Sequence, residues 1–277
     1  TVDANGDAGW EAVAAAGTGE TYVKLKDSNG NASNTGDNTY AGYQAGNSLS
    51  SGGNENAFYG NAAGKAVTSG SSNVALGHDA LEAATSGSKH IAIGAFALES
   101  VTTADGNIAI GYEALKANTT AISNVAVGSE AGKSITTGSN NIAIGYQALN
   151  TATDGGENIA IGSSALKLLP AGNENDGIVA IGHEAFSSQA TNDVRYFVAI
   201  GYHAMKDHNY AASNSGSTAV GAFAMQNVTT GDRNVAFGKN SLNNCTTGSY
   251  NSTFGTYSGQ EITTGTRNVL LGLYTGR

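Results

Sequence analysis

The sequence has very few of the residues that stabilise small or irregular folds. One cysteine, one proline and one tryptophan occur among 277 residues, and only 13% of the residues are charged. A lone cysteine excludes a framework of disulfides. We expect Cys245 to be a small, partly buried residue of the fold rather than a reactive thiol.

Basic residues and long apolar runs are also scarce. The 13 Lys and Arg residues are outnumbered by 22 Asp and Glu residues, which gives a net charge of −9. This balance disfavours nucleic acids and anionic membranes as partners, because both bind basic patches. No run of 18 apolar residues is present, so we expect no membrane insertion. No signal peptide is recognisable and the chain starts at Thr1, so we interpret it as a processed product or a fragment.

Glycine is abundant, and much of it belongs to a strict repeat. A glycine that closes an apolar triplet, as in "NIAIG", recurs fourteen times. These repeat glycines are Gly42, Gly60, Gly77, Gly94, Gly111, Gly128, Gly145, Gly162, Gly182, Gly201, Gly221, Gly238, Gly255 and Gly272. The spacing is 17 residues except for a first interval of 18 and three consecutive intervals of 20, 19 and 20. A fixed period of this kind is typical of stacked-repeat folds.

Each repeat has the same internal pattern. In ten repeats an Asn stands four residues before the repeat glycine, as at Asn107 and Asn141, and a small residue stands three after it, as at Ala114 and Ala148. A Thr often stands eight residues after it, and a second glycine two further on. A period of 17 accommodates about two short strands and two tight turns. We therefore predict an all-β, parallel β-roll (a β-solenoid) of about 14 coils of 17–20 residues, with Asn ladders between the coils.

The alternation within "NIAIG" leads to a prediction about assembly. Ile142 and Ile144 should face the interior of the coil, and Ala143 should face away from it. Columns of alanine on the outside would allow close packing against another rod, and so thin a core needs such support. We expect a bundle of parallel rods; a monomeric roll whose alanines tolerate solvent is the alternative.

The phrases "SNVALGHDAL", "GNIAIGYEAL", "SNVAVGSEAG" and "ENIAIGSSAL" resemble the head repeats of YadA-like trimeric autotransporter adhesins. They are more similar still to the longer "AIGYQAL…TTG…N" variant of phage tail fibres and related bacterial surface fibres. The resemblance covers residues 38–277 and implies a left-handed roll, an intertwined or side-by-side homotrimer, and an adhesive or receptor-binding role. The adhesin repeat is shorter than this one, so the phage-type fibre is the nearer relative.

The two ends differ from the repeats. Residues 1–37 lack the pattern, and we interpret them as an N-terminal cap or junction with a strand in "ETYVKLKD" (20–27). Residues 38–277 form the repeat domain, which ends without a cap, so we expect the natural polypeptide to continue or to be cut there. In the fibres that it resembles, a C-terminal chaperone is often removed by self-cleavage.

No pattern indicates an enzyme or a cofactor. Acyltransferase hexapeptide helices carry three apolar-Gly hexads per coil, whereas each coil here has one, and the calcium-binding nonapeptide series is absent. No Ser/His/Asp grouping occurs. We therefore predict a non-enzyme with no cofactor and no metal site.

The five histidines fit the repeat pattern. His78 and His183 directly follow a repeat glycine, in a slot that also takes Tyr, Ser or Lys, so we predict that they lie on the surface and that their acidic neighbours are coincidental. His90 stands in the Asn column, where we expect it to replace the ladder Asn. His203 and His208 lack an evident third metal ligand.

The three long repeats, at about 163–221, suggest a binding surface. Extra residues in stacked repeats map to one side and often form the binding face. Our candidate receptor contacts are Leu169, Pro170, Asn173, Arg195, Tyr196, His208 and Tyr210. The other possibility is that these insertions are merely tolerated surface loops.

The sequence thus predicts a fibrous, trimeric segment of a phage tail fibre or bacterial adhesin head. It would act outside the cell, on the virion or the bacterial surface, and bind a glycan or protein receptor by multivalent attachment. A spacer shaft that carries a distal tip is the main alternative. An ice-binding solenoid is a distant one, because the paired threonines are adjacent rather than at i and i+2.

Overall fold

The computed structural model describes residues 38–49, 52–169, 175–187, 194–207 and 216–276, together with the backbone of 12–14 and 21–23. Within these residues the chain is a β-solenoid without a helix, and no helix long and apolar enough to span a membrane is found there. A short antiparallel pair, β1 (Ala12–Ala14) and β2 (Thr21–Val23), contains the strand predicted in "ETYVKLKD". Trp10 and the rest of the proposed cap lie outside the described residues.

Fourteen three-residue strands, one per repeat, form a single parallel sheet in chain order. They are β3 (Thr39–Ala41), β4 (Ala57–Tyr59), β5 (Val74–Leu76), β6 (Ile91–Ile93), β7 (Ile108–Ile110), β8 (Val125–Val127), β9 (Ile142–Ile144), β10 (Ile159–Ile161), β11 (Val179–Ile181), β12 (Val198–Ile200), β13 (Thr218–Val220), β14 (Val235–Phe237), β15 (Ser252–Phe254) and β16 (Val269–Leu271). The β-solenoid and its one-coil-per-repeat stacking are confirmed. The prediction of two strands per repeat is wrong for the described residues, because the remainder of each coil consists of turns and bends.

The side chains of each strand point the opposite way from the prediction. Ala143, at the middle of β9, is 1% exposed, whereas Ile144 is 38% exposed and Ile142 is half-buried. The same buried alanine recurs at the centre of β5 through β14. Ala114 and Ala148, after the repeat glycine, are also completely buried within the coil. In these coils buried side chains from the turns, such as Leu149, fill much of the narrow interior, so the strand contributes only a methyl group and the larger Ile and Val side chains lie outside.

The Asn column forms the predicted ladder. The backbone N–H of Asn141 donates to Asn124 Oδ1 at 2.9 Å, and Asn141 Nδ2 donates to the carbonyl of Gly155 in the next coil at 2.9 Å. Asn107 and its equivalents are buried and make the same type of contacts. Because each amide bonds to the coil on either side, the buried polar column is satisfied internally.

His90 replaces an Asn of this ladder, as predicted. Its Nε2 lies 2.7 Å from the carbonyl oxygen of Ala104, and its Nδ1 accepts the backbone N–H of Asn107 at 3.2 Å. This pair of contacts fits a neutral ring with the proton on Nε2. Burial is the main cause that lowers the pKa of His90.

The repeat glycines mark places where two coils approach closely. Gly145 has a φ of +131°, and a Cβ on it would lie 2.6 Å from the carbonyl carbon of Gly162 in the next coil. Gly111 has a φ of +137° and meets the following repeat glycine in the same way. A side chain there would both strain the backbone and clash with the neighbouring coil.

The long repeats keep the sheet register intact. Ile161 pairs with Ile181, Ile181 with Ile200, and Ile200 with Val220, so the extra residues do not enter the sheet. The Asn column is replaced there by buried Ile178 and Phe197. The stack of strands therefore continues unchanged through the three long repeats.

Candidate functional site: the exposed columns and the long repeats

The first candidate surface is the outer face of the sheet. Its two columns, the first and third residues of every strand from β3 to β16, are mostly Ile, Val, Leu and Phe and are half-buried or exposed. Leu76, for example, is 49% exposed, and Phe237 stacks on Phe254 with ring centroids 5.4 Å apart. We call these two columns the outer face. They form a continuous apolar strip along the rod, of a kind that single-chain soluble proteins rarely expose.

A second exposed column directly follows the repeat glycines, as predicted for this permissive slot. Tyr112, Tyr146 and Tyr202 are exposed there, and so are His78 and His183. The aromatic rings contact one another between coils: His183 stacks on Tyr202 with centroids 5.3 Å apart. The column therefore offers aromatic contact area at regular intervals along the rod.

The predicted receptor contacts that the structure describes differ in their exposure to solvent. Tyr196 is 65% exposed, packs beside Gly177 and is available for contact, whereas Arg195 is half-buried. Leu169 is 3% exposed and belongs to the hydrophobic core, so its prediction as a receptor contact is wrong. It occupies an inward-facing position seven residues after a repeat glycine. The extra residues of the long repeat made this position hard to recognise in the sequence.

The remaining predicted contacts, Pro170, Asn173, His208 and Tyr210, lie outside the described residues.

Charged side chains form a compact cluster beside the aromatic column. Glu113 accepts Lys116 Nζ at 2.9 Å and Lys133 Nζ at 2.6 Å, and Lys116 also lies 3.3 Å from Glu99. The hydrogen bonds from Lys133 and Lys116 lower the pKa of Glu113 to about 2. Near neutral pH this carboxylate is therefore charged and bound to two lysines. Such a group is suited to linking coils rather than to transferring protons.

Two other polar groups lie in structural environments. Burial raises the pKa of the Cys245 thiol to about 11, in agreement with the predicted structural role. The hydroxyl of Thr136 donates to the carbonyl of Thr153 at 2.9 Å, and its equivalents in the Thr column do the same. These hydroxyls stabilise the stack of coils.

One grouping was missed by the sequence analysis. His183, Glu184 and His203 belong to adjacent coils, and their ligating atoms all lie within 4.8 Å of one another. His203 Nε2 lies 3.1 Å from Glu184 Oε2, to which Lys206 Nζ also approaches within 2.5 Å. The hydrogen bond from Lys206 is the main cause that lowers the pKa of Glu184, and burial lowers that of His203. Counting each residue from its repeat glycine would have placed Glu184 and His203 in one column.

Comparisons with protein-family models, with curated proteins and with solved structures give no match for this chain.

Proposed function

We propose that the chain is a rod-shaped segment of a trimeric attachment fibre, a phage tail fibre or a bacterial adhesin head, that acts outside the cell. The observation that carries this proposal is the outer face, an exposed apolar strip that follows a stack of fourteen strands. At about 4.8 Å per strand the stack is roughly 60 Å long. A rod with one apolar side is suited to lie lengthwise against copies of itself.

The outer face takes the role that the sequence analysis gave to the alanine columns. Ala143 and its equivalents are inside the coil and cannot reach another chain, whereas Ile144 and its neighbours along the outer face can. Three rods that direct these faces toward a common axis would remove the strip from water. Burial of this apolar surface would stabilise the trimer through the hydrophobic effect.

Attachment is proposed to occur through the long repeats. They interrupt the repeat pattern at one level of the rod, and Tyr196 is strongly exposed there. Exposed tyrosines are enriched where proteins bind partners. Three chains would present three copies of this surface at the same height, so weak contacts with a glycan or protein receptor would add up through avidity. Nothing in this role requires a catalytic group or a cofactor.

A spacer shaft is the second candidate function, favoured by the register that passes unchanged through the long repeats. Replacing residues 163–221 with three 17-residue repeats separates the two functions. Labelled full chain and shortened chain would be compared for binding to intact bacteria and to a glycan array. Binding that is lost with the long repeats supports attachment through them, and equal binding by both chains contradicts it. If neither chain binds, the spacer function is favoured.

A further inference from the structure

We propose that His183, Glu184 and His203 form a binding site for a divalent transition-metal ion of the zinc type. Two imidazoles and a carboxylate are a common donor set for zinc, and they suit it better than calcium or magnesium. The three side chains come from two neighbouring coils, which are two successive long repeats. A bound ion would therefore tie these two coils together.

The buried nitrogen of His203 is the strongest sign of a missing partner. The His203 side chain is 14% exposed, and its Nε2 has no solvent contact and no hydrogen bond among the described residues. Glu184 Oε2 is only 3.1 Å away, yet it does not accept a hydrogen bond from this nitrogen. A buried polar atom without a hydrogen bond is costly, and coordination of a metal ion would offset that cost.

The spacing of the donors is close to that of a metal site. In a tetrahedral zinc site with bonds of roughly 2.0 Å, neighbouring donor atoms lie about 3.3 Å apart. The 3.1 Å between His203 Nε2 and Glu184 Oε2 matches this edge. His183 is exposed and stacks on Tyr202, and its ligating nitrogen lies within 4.8 Å of the other two donor atoms, so a turn of its side chain toward them would complete three ligands.

Lys206 is the group that competes with a metal ion. Its ammonium lies 2.5 Å from the same oxygen of Glu184, and its side chain is 30% exposed. A metal ion would displace this ammonium, which can extend into solvent. Removing the competing charge should therefore strengthen metal binding.

The other repeats provide matched controls, because the coil places equivalent residues in the same positions. His78 and Asp79 are equivalent to His183 and Glu184, but Phe96 stands where His203 would be. Replacements taken from other repeats are expected to preserve the coil: His203→Phe follows Phe96 and Phe223, Glu184→Gln follows Gln147, and Lys206→Gln follows Gln226.

The test is a titration of the tag-free full chain with zinc chloride by calorimetry, with calcium chloride as the control ion. We expect one zinc ion per chain and no response to calcium. His203→Phe and Glu184→Gln should each weaken zinc binding by more than about tenfold, since even outer partners of metal ligands have effects of that size. Lys206→Gln should strengthen binding, and Co²⁺ should give the visible absorption of a tetrahedral site.

Phe96→His gives an independent test, because it should add a second zinc ion per chain at His78 and Asp79. Circular dichroism melts establish that each variant is folded, and zinc should raise the melting temperature of the wild type but not of His203→Phe. The proposal is overturned if the wild type binds no zinc, or if folded His203→Phe binds zinc as tightly as the wild type.

Discussion

At the scale of single residues, the coil depends on backbone conformations that most side chains avoid. Gln147 and Leu149 have φ values of 54° and 51°. They stand two and four residues after a repeat glycine, and the residues at these two positions have positive φ in all fourteen repeats. The left-handed region costs a non-glycine residue roughly 1–2 kcal/mol. Leu149 is nevertheless retained, because its completely buried side chain fills the core. Packing thus outweighs local preference at these positions.

Gly145→Ala should destabilise the fold by about 2–6 kcal/mol, because it combines backbone strain with overpacking against Gly162. Urea unfolding followed by circular dichroism would measure the loss. Gly106→Ala is the matched control: Gly106 also has positive φ, but a Cβ there would meet only Ser123 Oγ at 3.9 Å. Equal losses in the two variants would contradict the close-approach argument.

His90→Asn should remove a dependence of stability on pH. Burial lowers the pKa of His90 in the folded chain below its ordinary value of 6.5. Between the folded pKa and 6.5, the unfolded chain therefore binds more protons than the folded chain. Stability should therefore decrease as the pH falls through 6.5 and level off below the folded pKa. The Asn variant, which restores the ladder residue, should lack this decrease.

His78→Asn is the control for this measurement, since His78 is exposed and Asn61 occupies the same position in its repeat. Urea unfolding between pH 5 and pH 8 would compare the three proteins. If His90→Asn keeps the full pH dependence of the wild type, the buried neutral ring is not its source.

Asn118→Val should stabilise the protein by about 1–3 kcal/mol. The Asn118 side chain is completely buried, and neither Nδ2 nor Oδ1 has a hydrogen-bond partner in the structure described. Val101 occupies the same position in the preceding coil, so the replacement suits the column. Thermal unfolding would detect the gain, and a lower melting temperature would show that the amide has a partner.

At the scale of the element, some coils exchange volume between two inward positions, four and seven residues after the repeat glycine. Leu149 is paired with the small Ala152, whereas Gly132 is paired with the large Ile135. A Cβ on Gly132 would lie 3.0 Å from Ile135 Cδ1, which shows that the two positions fill one space. The sequence shows this exchange once the repeats are aligned, but only the structure shows that the positions touch.

Gly132→Leu and Ile135→Ala test this exchange as a double-mutant cycle. Ile135→Ala should cost about 2–5 kcal/mol through the cavity that it leaves, and Gly132→Leu should be destabilising through overpacking. The double variant reproduces the Leu149–Ala152 pair, so it should be less destabilised than the sum by at least about 1 kcal/mol. Additive losses from urea unfolding would mean that the positions are independent.

At the scale of the whole molecule, each strand from β3 to β16 contacts only the strands next to it, so this part of the chain has no central core that could shield its surfaces. The outer face is therefore an apolar area that remains available to another chain. The prediction that rods pack together remains, but its physical basis changes from alanine to Ile and Val. This change alters which substitutions should prevent association.

Ile110→Lys combined with Ile144→Lys should convert a trimer to monomers, because it places two charges on the outer face while leaving the coil interior intact. Sedimentation velocity would measure the state, and circular dichroism would establish the fold. Thr103→Lys with Thr137→Lys, on an exposed column, is the control and should remain trimeric. A monomeric wild type, or outer-face variants that associate as well as it does, would contradict the proposed assembly.

The sequence by itself determined the repeat, the stacked parallel strands, the buried Asn ladder and the positions of the insertions. These follow from spacing, because a fixed period places equivalent residues above one another whatever the details of packing. Only the tertiary structure decided which side of each strand faces inward, that Leu169 is buried, and that His203 lies beside Glu184. Strand alternation defines two faces but does not say which is inside. The structure places the central alanine inside, where buried side chains from the turns, such as Leu149, already fill much of the space, and leaves the larger Ile and Val side chains outside.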